Sequence, residues 1–231
     1  MRRSAILALT LIAAAALATA AQAAHNRRPL CGAGTPRPIL ANRRAEIYPG
    51  VEQLFEPGTH TPSVKFPVYY GCVRGSSRRF TVGGPPEPCD AGACVGTRHI
   101  TLARTTVAWE EWKTRQPYNP WPNEKTEWQV IVRNLRTGRV LHEVPTGTRT
   151  IPDSAFVGAG PTTDIVVKPD GAVAWILDAE ETQQRYQVHA LDGTGERVLA
   201  TGPNIGRASL KLSGSKLSWT QGRKHYSTTL N

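Results

Sequence analysis

Ile165-Val166-Val167-Lys168-Pro169-Asp170-Gly171-Ala172-Val173-Ala174-Trp175 is the stretch from which the fold can be read. Two short runs rich in β-branched and apolar residues flank Lys-Pro-Asp-Gly, where proline presets the bend and glycine supplies the backbone angles of a tight turn. The same order occurs twice more. Upstream, Ile100-Thr101-Leu102 leads through a turn to Val107-Ala108-Trp109, and downstream, Leu210-Lys211-Leu212 leads to Leu217-Ser218-Trp219. A third strand is expected to begin at Trp128-Gln129-Val130, at Tyr186-Gln187-Val188 and, more weakly, at His225-Tyr226-Ser227. The first two units then turn through Thr137-Gly138 and Gly193-Thr194-Gly195 into a fourth strand carrying Val140-Leu141 or Val198-Leu199. Each unit thus reads as a four-stranded antiparallel meander of about 40 to 45 residues, the length of a propeller blade.

Side chains alternate across a strand, so Val107 and Trp109 point one way and Ala108 the other; the large-small-large order returns at 173–175 and 217–219. Bulk on one sheet can then fill the shallow face of its neighbour. Residues 66–82 read as the last two strands of an earlier unit. The expected fold is therefore all-β, a small β-propeller of about four blades with almost no helix. The fourth unit stops before its outer strand, and the segment from Ile39 to Ile47 is expected to supply it and close the ring. Without that closure the array is an open arc, or a dimer completes it.

At these residues the chain resembles TolB-like and WD40-like β-propeller repeat proteins, whose units also run strand, Pro-Asp-Gly-type turn, aromatic strand, strand and glycine turn. The resemblance covers roughly residues 66–231, and the units lack the Gly-His and Trp-Asp pairs of WD40 blades. It implies an architecture and no particular activity, since propellers serve as scaffolds, binders and enzymes.

At the N-terminus, Arg2 and Arg3 precede an apolar run from Ala5 to Ala20 and an Ala21-Gln22-Ala23 cleavage pattern. This reads as an export signal over residues 1–24, too short in its apolar run to span a bilayer. No later run is apolar enough to cross a membrane, so a secreted or extracytoplasmic protein with no transmembrane segment is expected. Residues 25–65 read as a partly irregular N-terminal extension, and 66–231 as the repeat domain. The chain carries 28 lysines and arginines against 18 acids. Residues 25–109 hold 11 basic and 5 acidic side chains, whereas 110–231 hold 15 and 13. Such a surface fits an anionic envelope polymer or simple solvation, and export argues against nucleic acid.

Cys31, Cys72, Cys89 and Cys94 form an even set without C-x-x-C spacing, which favours disulfides over a metal site in an exported chain. The reading favours Cys89 with Cys94, because Asp-Ala-Gly-Ala between them can turn, and this leaves Cys31 with Cys72. No catalytic or metal spacing stands out, so no cofactor and no metal are expected. His99, His142, His189 and His225 fall on or beside strands and read as structural. Glu110 and Glu111 follow Trp109, and Asp178, Glu180 and Glu181 follow Trp175. Adjacent acids on a strand face opposite ways, but Glu111 and Glu180 are the candidates should the chain be an extracytoplasmic hydrolase of envelope polysaccharide.

Between Trp109 and Trp128 lie eight more positions than between Trp175 and Tyr186. This interval reads as an inserted loop in which Trp112, Lys113, Arg115, Tyr118 and Trp121 are interleaved with Pro117, Pro120 and Pro122. Stiffened aromatics offer flat faces to a sugar ring or peptide, and insertions on repeat proteins gather on binding faces. The alternative is that Trp112 and Trp121 fold back to plug the propeller or cover its edge. The sequence thus leads to a non-enzymatic exported binding or scaffold module for a glycan, peptide or partner protein, through the 112–125 segment.

Overall fold

The structure, a computed structural model, describes residues 31–33, 36–55, 62–85, 93–115, 124–151, 162–179 and 185–231. The expected export signal lies outside the described residues, as do Cys89, Tyr118, Trp121, Glu180 and Glu181. Everything described is β-strand, turn or loop, arranged in four antiparallel sheets. The first sheet runs β1 (Leu40–Ala41), β2 (Ala45–Phe55), β3 (Pro62–Val73), β4 (Arg79–Thr81), and the second β5 (Ala93–Ala103), β6 (Thr106–Arg115), β7 (Glu124–Asn134), β8 (Val140–Ile151). The third runs β9 (Thr162–Val167), β10 (Val173–Asp178), β11 (Tyr186–Asp192), β12 (Gly195–Gly202), and the fourth β13 (Lys211–Ser213), β14 (Lys216–Gln221), β15 (Lys224–Thr229). Neighbours in each sheet are neighbours in sequence, so every sheet is a meander.

Trp109, Trp175 and Trp219 each lie in the second strand of a sheet and are buried. The alternation around them builds the core. Val107 and Trp109 pack toward the first sheet against Ala45, Ile47 and Val82. On the opposite face Ala108 shares a layer with Val173 and Trp175 of the third sheet. Ala174 in turn shares a layer with Leu217 and Trp219 of the fourth. An alanine on one sheet thus makes room for the tryptophan of the next, which is how these sheets reach interior packing density. Two of these indoles also stack on a ring of the third strand: His189 on Trp175 at 5.2 Å between ring centroids, and Tyr226 on Trp219 at 6.0 Å.

The segment from Ile39 to Ile47 does not complete the fourth sheet. Leu40 pairs with Ile47 and Ala41 with Glu46, so it folds on itself at the start of the first sheet. The cause is local: Asn42 Oδ1 accepts hydrogen bonds from the N–H groups of Arg44 and Ala45, making a turn whose closure costs far less entropy than a pairing across the chain. Residues 45–55, read as part of an irregular extension, form β2, and the boundary expected at 66 falls inside β3. Residues 68–73 and 79–81 are the third and fourth strands of their sheet, as the pattern implied. The outward face of the first sheet, with Tyr48, Val68 and Tyr70, is covered by the Cys31–Cys72 disulfide. The fourth sheet has three strands, and among the described residues no apolar layer joins it to the first. No helix among the described residues is long and apolar enough to cross a membrane.

Candidate functional site

Where the structure describes the expected inserted loop, at 112–115 and 124–125, it is strand, and residues 116–123 lie outside the described residues. Pairing of β6 with β7 continues to Arg115 opposite Lys125, so Trp112, Lys113 and Arg115 lie in β6. The reason is the residue chemistry. Trp112 sits opposite Trp128, and the hydroxyls of Thr114 and Thr126 meet at 2.9 Å, both favourable cross-strand pairs. Trp112 and Trp128 are buried together, and the ring of Trp112 lies directly over Gly96, where a Cβ would fall 2.4 Å from the indole. Trp112 therefore packs against its own sheet. For Arg115 only the backbone is described, and Tyr118 and Trp121 lie outside the described residues.

The opposite face of the same strands, turned toward the first sheet, borders a cleft of about 700 Å³. One wall is built from the register of the second sheet, where Glu111 pairs with Gln129 and Trp109 with Ile131. Lys113 and Arg133 extend this wall at either end, and Val95, Val140 and Glu143 flank it. The first sheet adds to the lining Glu52 of β2, Phe66 of β3, which also packs beside Val68 and Tyr70, and the Gly83-Gly84-Pro85 segment after β4. Val95 and Val140 are among the few large apolar side chains left exposed, at 44% and 36%.

The polar groups of the cleft are tied in place. Glu111 Oε1 receives Lys113 Nζ at 2.7 Å and Gln129 Nε2 at 3.1 Å. Arg133 lies over the Trp109 ring at 5.7 Å and donates to the Thr81 carbonyl at 2.9 Å. Burial draws its pKa below the usual arginine value, with Glu111 opposing the shift. Such an arrangement can grip a ligand that has both an apolar face and hydrogen-bonding groups.

Glu110 points the other way, as strand alternation requires, and is fully buried. Its Oε1 accepts the Thr162 N–H at 2.9 Å, and burial pushes its pKa up to about 7. Nearby, Asp164 Oδ2 accepts the Leu210 N–H at 2.9 Å, and burial lowers the pKa of His99. These groups join the second sheet to the third and the third to the fourth. At another edge the nearly buried Asp178 carboxyl faces two exposed arginines, Arg185 at 3.5 Å and Arg207 at 3.8 Å. Of the hydrolase candidates, Glu111 is in the cleft and Glu180 lies outside the described residues.

Of the residues singled out in sequence, Lys113 and Glu111 reach the cleft. Gln129 and Arg133 were missed, although they share the parity of Ile131 on the strand beside Glu111, and that parity was a usable signal. Nothing in the chain announces Glu52 or Phe66, which arrive on another sheet. In comparison with known proteins, no family model matches this chain, and no curated protein matches it either.

Proposed function

We propose that the protein is a non-enzymatic, extracytoplasmic binding module, an open propeller of four sheets whose cleft between the first two takes a short uncharged glycan segment. The observation that carries this reading is the fixed Lys113–Glu111–Gln129 rail beside apolar Phe66, Val95 and Val140. Planar amide and carboxylate groups held in advance hydrogen-bond to vicinal hydroxyls at little ordering cost, and apolar walls accept the C–H face of a sugar ring. The Cys31–Cys72 bridge accords with an oxidising compartment.

The test is an array of neutral oligosaccharides and short peptides probed with wild type and with Val95→Trp. Val95 is exposed at the cleft, so a larger side chain there fills the space without disturbing the core. Oligosaccharide binding that weakens about tenfold in the variant, with Tm within about 2 °C of wild type, is expected. Binding indifferent to Val95→Trp removes the cleft from the function.

A further inference from the structure

The turns at one end of the first two sheets meet on a common surface. Arg74 N donates to the Arg44 carbonyl at 2.9 Å, joining the β3–β4 turn to the β1–β2 turn. Asn42 Nδ2 donates to the Arg104 carbonyl at 3.0 Å, joining β1–β2 to β5–β6 across the two sheets. Leu135 N donates to the Thr105 carbonyl at 2.7 Å, adding the β7–β8 turn. Arginine dominates every one of these turns: Arg43 and Arg44 in the first, Arg78 in the second, Arg104 in the third, Arg136 and Arg139 in the fourth. All six are exposed. The four turns contain no carboxylate, and the nearest one, Glu46, is engaged by Arg74 at 3.1 Å.

The same end of the third sheet is built differently. Thr106 Oγ1 donates to the Pro169 carbonyl at 2.7 Å, so the β9–β10 turn adjoins the surface, but there Lys168 pairs with Asp170 at 3.0 Å. In the β11–β12 turn Arg197 pairs with Asp192 at 2.7 Å. Among the turns at this end of the first three sheets, arginines with no carboxylate in the same turn are thus confined to the first two.

Backbone geometry gives an independent observation. Ser213 pairs with Lys216 around a two-residue turn that starts with Gly214 at φ 61°, the left-handed region glycine occupies without penalty. Ala103 pairs with Thr106 around the equivalent turn of the second sheet, and there Arg104 occupies that position at φ 54°. An exposed arginine thus stands at a strained place where glycine would be relaxed.

We infer that this arginine surface binds an acidic polysaccharide. Sheets pack about 10 Å apart, and alternate strands of one sheet lie about as far from one another, so neighbouring tips sit on a grid of about 10 Å. A flexible chain with acidic groups spaced along it can place one on each tip. Guanidinium, more than ammonium, suits the forked geometry of a carboxylate. Ser76, Ser77, Thr105 and Thr137 lie between the arginines and offer hydroxyls to a sugar. The Phe80 ring beside these turns is covered by Arg78 at 5.4 Å and Leu135 is buried, which leaves no exposed aromatic ring on the turns to stack a nucleic-acid base and no large apolar tip to enter a membrane. The inference does not rest on the cleft, which lies between the sheets.

The experiment measures binding of polygalacturonate to the full chain at low and high salt, beside phosphatidylglycerol vesicles and single-stranded DNA. One variant combines R43Q, R44Q, R136Q and R139Q; a control combines K211Q, K216Q, R223Q and K224Q, removing the same charge from the fourth sheet. The expected result is salt-sensitive binding that falls about tenfold in the first variant and little in the control. Arg104→Gly separates function from structure: it should raise Tm by relieving strain while weakening polygalacturonate binding. Equal losses in both quadruple variants, preference for vesicles or DNA, or no binding by wild type would each overturn the inference.

Discussion

At the scale of single residues, Glu110 couples the fold to pH. Its carboxyl is fully buried, with one oxygen on the Thr162 N–H, and burial raises its pKa from an ordinary 4.5 to about 7. A raised pKa in the folded state means that the folded chain holds the proton more tightly than the unfolded chain. Its contribution to stability is therefore complete below about pH 4.5 and is lost as pH rises through about 7. At about 1.4 kcal/mol per pKa unit, the loss approaches about 3 kcal/mol above that pH. Glu110→Gln keeps an acceptor for Thr162 and has no proton to lose. Thermal unfolding should show the wild-type Tm falling relative to that of Glu110→Gln between pH 5 and 8, the other shifted groups being common to both; parallel curves would place the titration elsewhere.

At the scale of elements, stability resides in the layers between sheets. The Trp175 side chain is 1% exposed and packs among Ala108, Val130 and Val144 of the neighbouring sheet while stacking on His189 of its own. Trp175→Ala should cost about 3–5 kcal/mol, because rigid strands cannot collapse into the space left by an indole. Urea unfolding measures this directly, and a loss below about 1 kcal/mol would mean that the layer contributes little. The β6–β7 hairpin carries the same lesson about elements. The segment from 112 to 125 reads as a loop along the chain, yet where it is described, cross-strand Trp112–Trp128 and Thr114–Thr126 pairs carry both strands through Arg115 and Lys125. A pairing of this kind is a two-strand property, invisible along one strand.

At the scale of the whole molecule, the fourth sheet is held by its C-terminal end. Asp192 receives Arg197 at 2.7 and 2.8 Å, the Thr194 N–H at 2.9 Å and the Asn231 N–H at 2.8 Å. Lys168 Nζ donates to the Leu230 carbonyl at 3.0 Å. The Arg197 hydrogen bonds, helped by Thr194 and Asn231 against the cost of burial, hold the Asp192 carboxyl far below the usual range. Its stabilisation is thus present above the ordinary aspartate pKa of about 4 and is lost as pH falls below it. Asp192→Asn should cost about 2 kcal/mol at neutral pH and speed hydrogen exchange in β14 and β15, with the difference from wild type shrinking in acid. Unchanged exchange in those strands would show that the apolar layer alone holds the sheet. By itself the sequence determined the all-β class, the order of strands around the three tryptophans and the alternation that nests tryptophan over alanine, because each follows from local turn chemistry or a period of two. Tertiary structure alone decided that Glu52 and Phe66 line the same cleft as Glu111 and Lys113, and that four arginine-bearing turns share one surface. Those facts depend on how separate sheets approach one another, and distance along the chain carries no record of that.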